Sequence, residues 1–199
     1  MANQDSGKAS EVNSKPTSNL VWIDLEMTGL NPETDAIIEI ATLITDSQLN
    51  VIAEGPELAI KQPPERFDKM DDWNREHHSK SGLWAKVLAS TVTLAEAEQK
   101  TLDFIRMHCN PKESPLCGNS VWQDRRFIVR HMQKLDDYLH YRLVDVSTIK
   151  ELASRWYPNQ KFKKPKGAHR ALDDIRESLD ELKFYRSTFF RDVIEGKSE

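Results

Sequence analysis

Two acids interrupt the apolar run Leu20-Val21-Trp22-Ile23-Asp24-Leu25-Glu26-Met27-Thr28-Gly29. The alternation along this run has the period of a half-buried β-strand. Asp24 and Glu26 are two positions apart, so both carboxylates leave the strand on the same face. Like charges on an apolar strand repel each other and lose hydration, and a divalent metal with oxygen ligands offsets both costs. The run therefore predicts either a metal site or an exposed face that carries two hydrated acids.

Composition limits the classes of function. The chain has 199 residues, of which 38% are hydrophobic and 30% charged, and this mixture is typical of one soluble domain. A net charge of −4 and a pI of about 5.9 argue against a protein that holds long nucleic acid through bulk charge. A small phosphate ligand held by metals and a few local cations is compatible with that charge.

Both termini are expected to lie outside the folded unit. The sequence predicts a disordered polar leader at 1–18, a folded domain at 19–191 and a flexible tail at 192–199. It shows no targeting signal and no apolar stretch of membrane length, so we expect a cytoplasmic protein that has no membrane partner. Cys109 and Cys117 lack CxxC spacing, and a reduced pair is a simpler interpretation than a structural disulfide.

The order of predicted elements is typical of an α/β protein. The opening run and strands at 36–45 and 51–60 have short connections, which predicts an antiparallel meander. Thr93 and Glu96 predict a capping box on a helix that ends near His108. Ser147 or Thr148 is expected to cap a helix that stops before residue 158. The other predicted elements are helices at 71–80, 121–135 and 171–191 and short strands at 116–118 and 143–146.

The last predicted helix places a further acid beside its apolar stripe. The residues of that stripe recur at helical spacing and are expected to face the core: Leu172, Ile175, Leu179 and Leu182. Asp174 borders the stripe, whereas Asp173 falls on the opposite flank and is expected to be solvated. His169 precedes the helix, where a histidine taken alone is more often a surface residue or a cap. Asp124 opens the helix at 121–135, where a single acid usually only complements the helix dipole.

Taken together, these residues resemble the DEDDh 3′–5′ exonucleases, through Asp24-x-Glu26, Asp124 and His169-x4-Asp174. Longer runs around them are similar to the oligoribonuclease family within that group. These runs are Trp22 to Leu30, Gly118-Asn119-Ser120 and Ala168 to Ile175. The similarity covers roughly 19–190. It implies a ribonuclease H-like α/β fold, in which α-helices flank a mixed β-sheet.

The resemblance also implies a reaction and its cofactors. It implies hydrolysis of short single-stranded RNA, especially dinucleotides, from the 3′ end to nucleoside 5′-monophosphates. Two divalent ions, Mg²⁺ or Mn²⁺, make a nucleophile from water and neutralise charge on phosphoryl oxygens. Asp24 is expected to bridge the two ions, and His169 to act as general base, because imidazole titrates near neutral pH. The four acids expected to hold the ions are Asp24, Glu26, Asp124 and Asp174.

Substrate contacts are carried over from the family by position. Leu30 is expected to act as a wedge between bases, because apolar and stacking contacts tolerate any sequence. Trp73 and His78 are expected on the base and phosphate sides. Without the resemblance, Trp73 would be interpreted as ordinary packing.

The opposite end of the substrate is assigned in the same way. Ser120, Arg142 and Ser147 are expected at the terminal 5′ phosphate. Tyr141 is expected to reach the site of a neighbouring protomer, since the family implies a homodimer. Without the resemblance, Tyr141 would be packing and Arg142 a solvated charge.

Two further features leave alternatives open. Tyr185, Phe189 and Phe190 offer either apolar surface for a dimer or the completion of the core. The basic loop Lys161-Phe162-Lys163-Lys164-Pro165-Lys166 is either a phosphate contact that gates the site or a solvated loop.

Three other functions are compatible with the sequence. One is a related DEDDh enzyme that trims tRNA ends or degrades single-stranded DNA. Another is a nucleic-acid-binding module that keeps the fold without catalysis. The third is a structural domain that a metal stabilises.

Overall fold

The computed structural model describes residues 19–164 and 170–190, which form one mixed sheet with helices on both faces. The strands are β1 (Leu20–Met27), β2 (Ile37–Thr45), β3 (Val51–Ala59), β4 (Leu116–Gly118) and β5 (Leu143–Asp145). The helices are α1 (Glu65–Asp68), α2 (Asp72–Lys80), α3 (Leu83–Ala89), α4 (Leu94–His108), α5 (Trp122–His131), α6 (Gln133–Tyr138), α7 (Val146–Trp156) and α8 (Ala171–Phe189). The predicted α/β fold class is confirmed.

β1 is the central strand of the sheet. The strand order is β3-β2-β1-β4-β5. The first three strands form the predicted antiparallel meander, and β4 and β5 continue the sheet in parallel with β1. Because parallel neighbours need a crossover, the chain passes through α4 before β4 and through α5 and α6 before β5.

Both faces of β1 are covered, so this strand is more buried than the half-buried strand that the sequence predicts. Val21, Ile23 and Leu25 pack in the core that α4, α5 and α6 form with the sheet. Trp22 packs on the other face against Ala171 of α8 and the residues that follow it. Asp24 and Glu26 share the face of Trp22 by the period of the strand. The two strand acids therefore face α8.

The helix predicted at 121–135 is two helices. The chain breaks at Met132, which has φ −132° and ψ 64° and separates α5 from α6. The reason lies on α4, where Glu98 Oε1 accepts hydrogen bonds from the backbone N–H of Lys134 (2.7 Å) and Leu135 (3.2 Å). This buried carboxylate satisfies the first amides of α6, which favours a new helix start at that point.

Other helix boundaries are close to those predicted. α4 begins with the predicted capping box between Thr93 and Glu96. The predicted cap of α7 is wrong, because Asp145 directly precedes that helix and accepts a hydrogen bond from the Ser147 N–H at 3.0 Å. α3 was not predicted; it follows Gly82, whose φ of 72° is in the left-handed region.

Two expectations from composition can be compared with the described residues. Within 19–164 and 170–190, no helix is both long and apolar enough to cross a membrane. Cys109 and Cys117 are buried and are not bridged.

Candidate active site

Three acids from two elements meet beside the end of β1. One carboxylate oxygen each from Asp24, Glu26 and Asp174 lies within 4.8 Å of the others. β1 supplies the first two, and the first turn of α8 supplies Asp174. α8 lies against this face because Ala171 packs in the same core as Trp22. The structure thus brings together the strand acids and the last-helix acid that the sequence singled out.

Asp124 joins this cluster from α5. It is only 6% exposed, and its Oδ1 accepts a hydrogen bond from the Leu25 N–H at 3.0 Å. Leu25 lies between Asp24 and Glu26 in the chain, so this bond fixes the first turn of α5 to the acid-bearing part of β1. Asp124 is therefore a buried member of the acid cluster rather than a solvated partner of the helix dipole.

Three acids of the cluster have raised pKa values. Burial, followed by the charge of Asp174, raises the pKa of Glu26 to about 8. Burial also raises the pKa of Asp124 to about 7. Burial, and then the charges of Asp124 and Glu26, holds the pKa of Asp24 well above its usual range. Ionisation of any of these acids lowers the stability of the folded protein, and a bound divalent cation with oxygen ligands would offset that loss. The donor set therefore fits hard divalent metals.

A buried ion pair between Glu39 and Arg170 anchors the start of α8. Glu39 is fully buried on β2, opposite Glu26 in the register of the sheet. Its carboxylate accepts two hydrogen bonds from Arg170, with Nη2 at 2.6 Å and Nε at 3.3 Å, and one from the Ala171 N–H at 3.3 Å. Arg170 also reaches Glu57 on β3 at 2.6 Å. These contacts fix the first turn of α8, and therefore Asp174, relative to the sheet.

Leu30 lies on a tightly held loop after β1. Its side chain is 70% exposed, whereas its carbonyl accepts a hydrogen bond from Gln123 Nε2 of α5 at 2.7 Å. Asp35 closes the loop by accepting a hydrogen bond from the Asn31 N–H at 2.9 Å. A Cβ at Gly29 would lie 2.5 Å from Asp35 Oδ2, so only glycine fits there without a shift. The loop therefore presents an apolar tip on a fixed backbone.

Trp73 and His78 lie on α2, which approaches the acid cluster through His78. Trp73 is 67% exposed and stacks on the His77 ring at 4.7 Å between centroids. His78 is buried, and its Nε2 is 2.9 Å from the Met27 carbonyl oxygen. Its Nδ1 is 4.0 Å from Glu26 Oε2 and has no hydrogen-bond partner among the described residues. The structure places His78 against the acids and leaves Trp73 available to a ligand.

The residues expected at the 5′ phosphate lie in two contacting pairs, Ser120 with Ser147 and Arg142 with Tyr141. Ser120 and Ser147 are neighbours, with 3.0 Å between their hydroxyl oxygens. Arg142 pairs with the exposed Tyr141, whose OH accepts a hydrogen bond from Arg142 Nε at 3.2 Å. The Arg142 guanidinium also lies over that ring at 5.5 Å. The Arg142 side chain therefore packs on Tyr141.

Some sequence predictions fall outside the described residues. His169 is one of them, and so are Pro165 and Lys166 of the basic loop. The described part of that loop packs on α8, where Lys164 Nζ is 2.9 Å from Glu177 Oε1.

The three aromatic residues near the end of α8 are divided between core and surface. Tyr185 is buried, and Phe189 packs against the same core. Phe190 is 59% exposed. In the described chain these residues mainly complete the core of the protomer.

Comparison with known proteins identifies the family. A family model described as Exonuclease matches residues 21–182. Oligoribonuclease from Pseudomonas syringae pv. syringae is 58% identical over 173 residues, which cover 87% of this chain and 97% of that protein. Oligoribonuclease from Aeromonas hydrophila subsp. hydrophila is 59% identical over 175 residues, which cover 87% and 96%. The chain belongs to the oligoribonuclease family.

Solved structures support the fold expected for an oligoribonuclease family member. E. coli Exonuclease I in complex with a 5cy-dT13 oligonucleotide gives a TM-score of 0.63 at 14% identity, covering 86% of this chain and 41% of that chain. Exonuclease I from Methylocaldum szegediense gives 0.61 at 16% identity, with coverage of 86% and 41%. The chain thus spans less than half of these larger proteins. The likeness shows the ribonuclease H-like α/β fold and nothing about substrate.

Sequence reasoning missed one ion pair in this oligoribonuclease family member. Glu39 interrupts the apolar segment Ile37-Ile38-Glu39-Ile40, and an acid in such a segment is the signal that could have drawn attention to it. Its partner Arg170 is 131 positions away in the chain. No local pattern joins two residues at that separation.

Proposed function

We propose that this protein is a 3′-to-5′ exoribonuclease that hydrolyses short RNA, especially dinucleotides, to nucleoside 5′-monophosphates. The observation that carries the proposal is the convergence of the Asp24, Glu26 and Asp174 carboxylates, with the buried Asp124 bonded to the same part of β1. Its support is the high identity to proteins named oligoribonuclease and the match to the Exonuclease family. An acid cluster of this kind is costly to fold without a cationic ligand, which favours a metal-dependent hydrolase.

The metal ligands in this proposal are the four clustered acids. Asp24, Glu26, Asp124 and Asp174 would hold two divalent ions, Mg²⁺ or Mn²⁺. When bound, such ions supply charge neutralisation and water activation for phosphodiester hydrolysis. Asp24 would be the central acid of this set, because the charges of Asp124, Glu26 and Asp174 all act on it.

The protein's own groups position the substrate and move the proton. His169 is the proposed general base that takes a proton from the attacking water. The water oxygen adds to phosphorus while the bond from phosphorus to the 3′ oxygen of the preceding nucleotide breaks. That oxygen takes a proton from solvent and leaves as a 3′ hydroxyl. Leu30 and Trp73 would hold the bases through apolar and stacking contacts, since both side chains are exposed. His78 would contact the substrate beside Glu26.

Substrate length is set at the other end of the site. Ser120 and Ser147 would bind the terminal 5′ phosphate, together with Arg142. An end that binds a terminal phosphate favours short strands, because a longer strand has no terminal charge at that distance. Tyr141, which is 74% exposed, would reach the site of a second protomer in a homodimer. A cytoplasmic location is the remaining part of the proposal, and two unbridged cysteines are compatible with it.

Substrate length provides the test of the proposed function. We expect RNA of two nucleotides to be hydrolysed much faster than RNA of five or about twenty, and the activity to disappear in EDTA. The measurement is turnover of 5′-labelled RNAs with Mg²⁺, Mn²⁺ or EDTA. The Asp24→Asn protein is the control for a contaminating nuclease.

Other outcomes of this experiment identify the alternatives. Efficient trimming of the long strand with poor dinucleotide cleavage would indicate a general 3′–5′ exonuclease. Metal-dependent stabilisation without cleavage at any length would indicate a binding module or a structural domain.

The general base has a separate test. We expect His169→Ala to lose most of its turnover while Mg²⁺ or Mn²⁺ still raises its melting temperature, because the metal ligands are intact. The measurements are kcat with a dinucleotide and thermal melting with and without metal. His108→Ala is a matched control, because that imidazole packs against Phe104 of α4, in the core on the face of β1 opposite Asp24 and Glu26. Full turnover without the imidazole at 169 would show that His169 is not the base.

A further inference from the structure

Glu181 is a buried acid that the proposed mechanism does not use. It lies on α8, about two turns after Asp174, and is only 2% exposed. Its Oε1 accepts a hydrogen bond from Tyr185 OH at 2.7 Å and lies 3.2 Å from Lys150 Nζ. Its Oε2 accepts one from Asn119 Nδ2 at 3.0 Å. Both carboxylate oxygens of Glu181 therefore have polar partners, as buried polar atoms usually do.

Glu181 determines which way the Asn119 amide faces. A carboxylate accepts hydrogen bonds and donates none, so the Asn119 NH₂ group must face it. The same NH₂ group donates to Ser178 Oγ at 2.9 Å. The Asn119 carbonyl oxygen is therefore turned toward Ser147, whose hydroxyl donates to it at 3.1 Å. The reverse amide orientation would place an oxygen against the carboxylate.

This orientation fixes the polarity of the two serines. Ser147 has one hydroxyl hydrogen, which Asn119 uses, so the lone pairs of Ser147 Oγ are turned toward Ser120. They accept from the Ser120 N–H at 2.8 Å and lie 3.0 Å from the Ser120 hydroxyl. The Ser120 N–H is also held by Asp145 Oδ1 at 2.9 Å. The Ser120 hydroxyl hydrogen is thus the one that can turn to an anion.

Ser120 also needs this support for its backbone. Its φ is 51°, in the left-handed region that non-glycine residues seldom adopt. Such a conformation persists where the surroundings hold it, and here two acceptors hold the N–H of Ser120. Ser147 thus acts on Ser120 through both the backbone and the hydroxyl.

We propose that Asn119 and Glu181 are positioning residues for recognition of the terminal 5′ phosphate, acting through Ser147 on Ser120. In this arrangement Ser120 donates the hydrogen bond to the phosphate. Ser147, which the proposed function also assigns to this end of the substrate, contributes by holding Ser120 and not by donating to the phosphate itself. The inference rests on the proposed function, which assigns the 5′ end of the substrate to this serine pair. The inference adds that the preference for 5′-phosphorylated over 5′-hydroxyl ends, which follows from that assignment, depends on two residues that do not touch the substrate.

The test compares a diribonucleotide that carries a 5′ phosphate with the same compound that ends in a 5′ hydroxyl. For Asn119→Ala, we expect kcat/KM on the phosphorylated substrate to fall about tenfold or more through KM, because a charge-assisted hydrogen bond is lost. The 5′-hydroxyl substrate should change by less than about twofold. Glu181→Gln should move in the same direction by a smaller factor, since a carboxamide allows either amide orientation.

Two controls separate positioning from general damage. Glu177→Gln makes the same charge change about one turn earlier on α8, and Glu177 pairs with Lys164 rather than with Asn119. It should keep the preference for the 5′ phosphate. In a double-mutant cycle, Asn119→Ala should add little to the loss of kcat/KM caused by Ser147→Ala, because both substitutions break the connection from Asn119 through Ser147 to Ser120.

The outcomes distinguish this inference from the proposed function. If the unmodified protein hydrolyses dinucleotides without preference for a 5′ phosphate, the assignment of the serine pair fails, and this inference fails with it. If the preference exists but the folded Asn119→Ala and Glu181→Gln proteins keep it, the inference alone is wrong. Equal losses on both substrates would show a purely structural role and would also overturn it. If Asn119→Ala does not fold, the near-isosteric Glu181→Gln decides.

Discussion

At the scale of the residue, Asp24 is an acid whose ionisation the surrounding protein opposes. Burial, followed by the charges of Asp124, Glu26 and Asp174, holds its pKa well above the usual range. An aspartate in such surroundings opposes folding when it ionises, unless a cation is present. An ionised Asp24 therefore favours metal-dependent activity but lowers the stability of the metal-free protein.

Replacement of Asp24 should separate the two demands. We expect Asp24→Asn to abolish hydrolysis and to raise the melting temperature of the metal-free protein by a few degrees, because a buried like charge is removed. The measurements are turnover with Mg²⁺ and thermal melting in EDTA. Asp173→Asn is the matched control, since Asp173 is exposed and pairs with Arg176 on the surface. An active Asp24→Asn protein would exclude Asp24 as a metal ligand.

Single residues also show what the sequence can and cannot predict. Asp24 and Glu26 could be placed on one face because the period of a strand is a local property. Asp174 could be placed at the margin of a helix stripe for the same reason. The buried bond from Leu25 to Asp124 could not be predicted, because its partners are 99 positions apart. Its existence depends on how α5 packs on β1.

At the scale of the element, the start of α8 depends on one arginine. Arg170 joins α8 to β2 and β3 through Glu39 and Glu57. Glu39 is fully buried, so removal of its partner would leave an uncompensated charge in the interior. The loss of one partner of a buried pair costs far more than the loss of an exposed pair.

Two arginine variants on this helix should differ accordingly. We expect Arg170→Met to lower the free energy of unfolding by about 3 kcal/mol and to reduce turnover, because Asp174 is on the turn that Arg170 anchors. Arg176→Met should cost about 1 kcal/mol or less, since Arg176 and its partner Glu54 are both 47% exposed. Urea unfolding and dinucleotide turnover measure both effects. Equal losses in the two variants would contradict the anchoring role.

Helix boundaries illustrate the same distinction between local and distant causes. The capping box of Thr93 and Glu96 could be predicted because its two residues are three positions apart. The break between α5 and α6 could not, because Glu98 lies on another helix. The apolar pattern continues through the break, so nothing in the sequence near Met132 marks it.

At the scale of the whole molecule, the acid cluster links metal binding to pH. The pKa of Glu26 rises from the ordinary 4.5 to about 8, and that of Asp124 from 3.8 to about 7. Between the ordinary and the raised values, the folded protein binds more protons than the unfolded chain. The contribution of these acids to stability is therefore present at low pH and is lost as the pH rises from about 4 to about 8.

This linkage predicts a pH-dependent effect of metal. We expect the melting temperature in EDTA to fall, relative to Glu26→Gln, as the pH is raised from 5 to 8. Added Mg²⁺ or Mn²⁺ should stabilise the unmodified protein increasingly over the same range, because metal binds the ionised acids. Thermal melting at each pH, with and without metal, measures both trends. A difference from Glu26→Gln that does not change with pH would contradict the raised pKa.

The central position of β1 has a consequence for how the protein loses its site on heating. Helices cover both faces of this strand, and β2 and β4 occupy its two edges. Backbone amides in such a strand exchange with solvent only through global opening, whereas peripheral segments open locally. Asp24 and Glu26 therefore belong to the last part of the fold to open. We therefore expect heating to displace these two acids only when the whole protein unfolds, and not in an earlier, partially unfolded state.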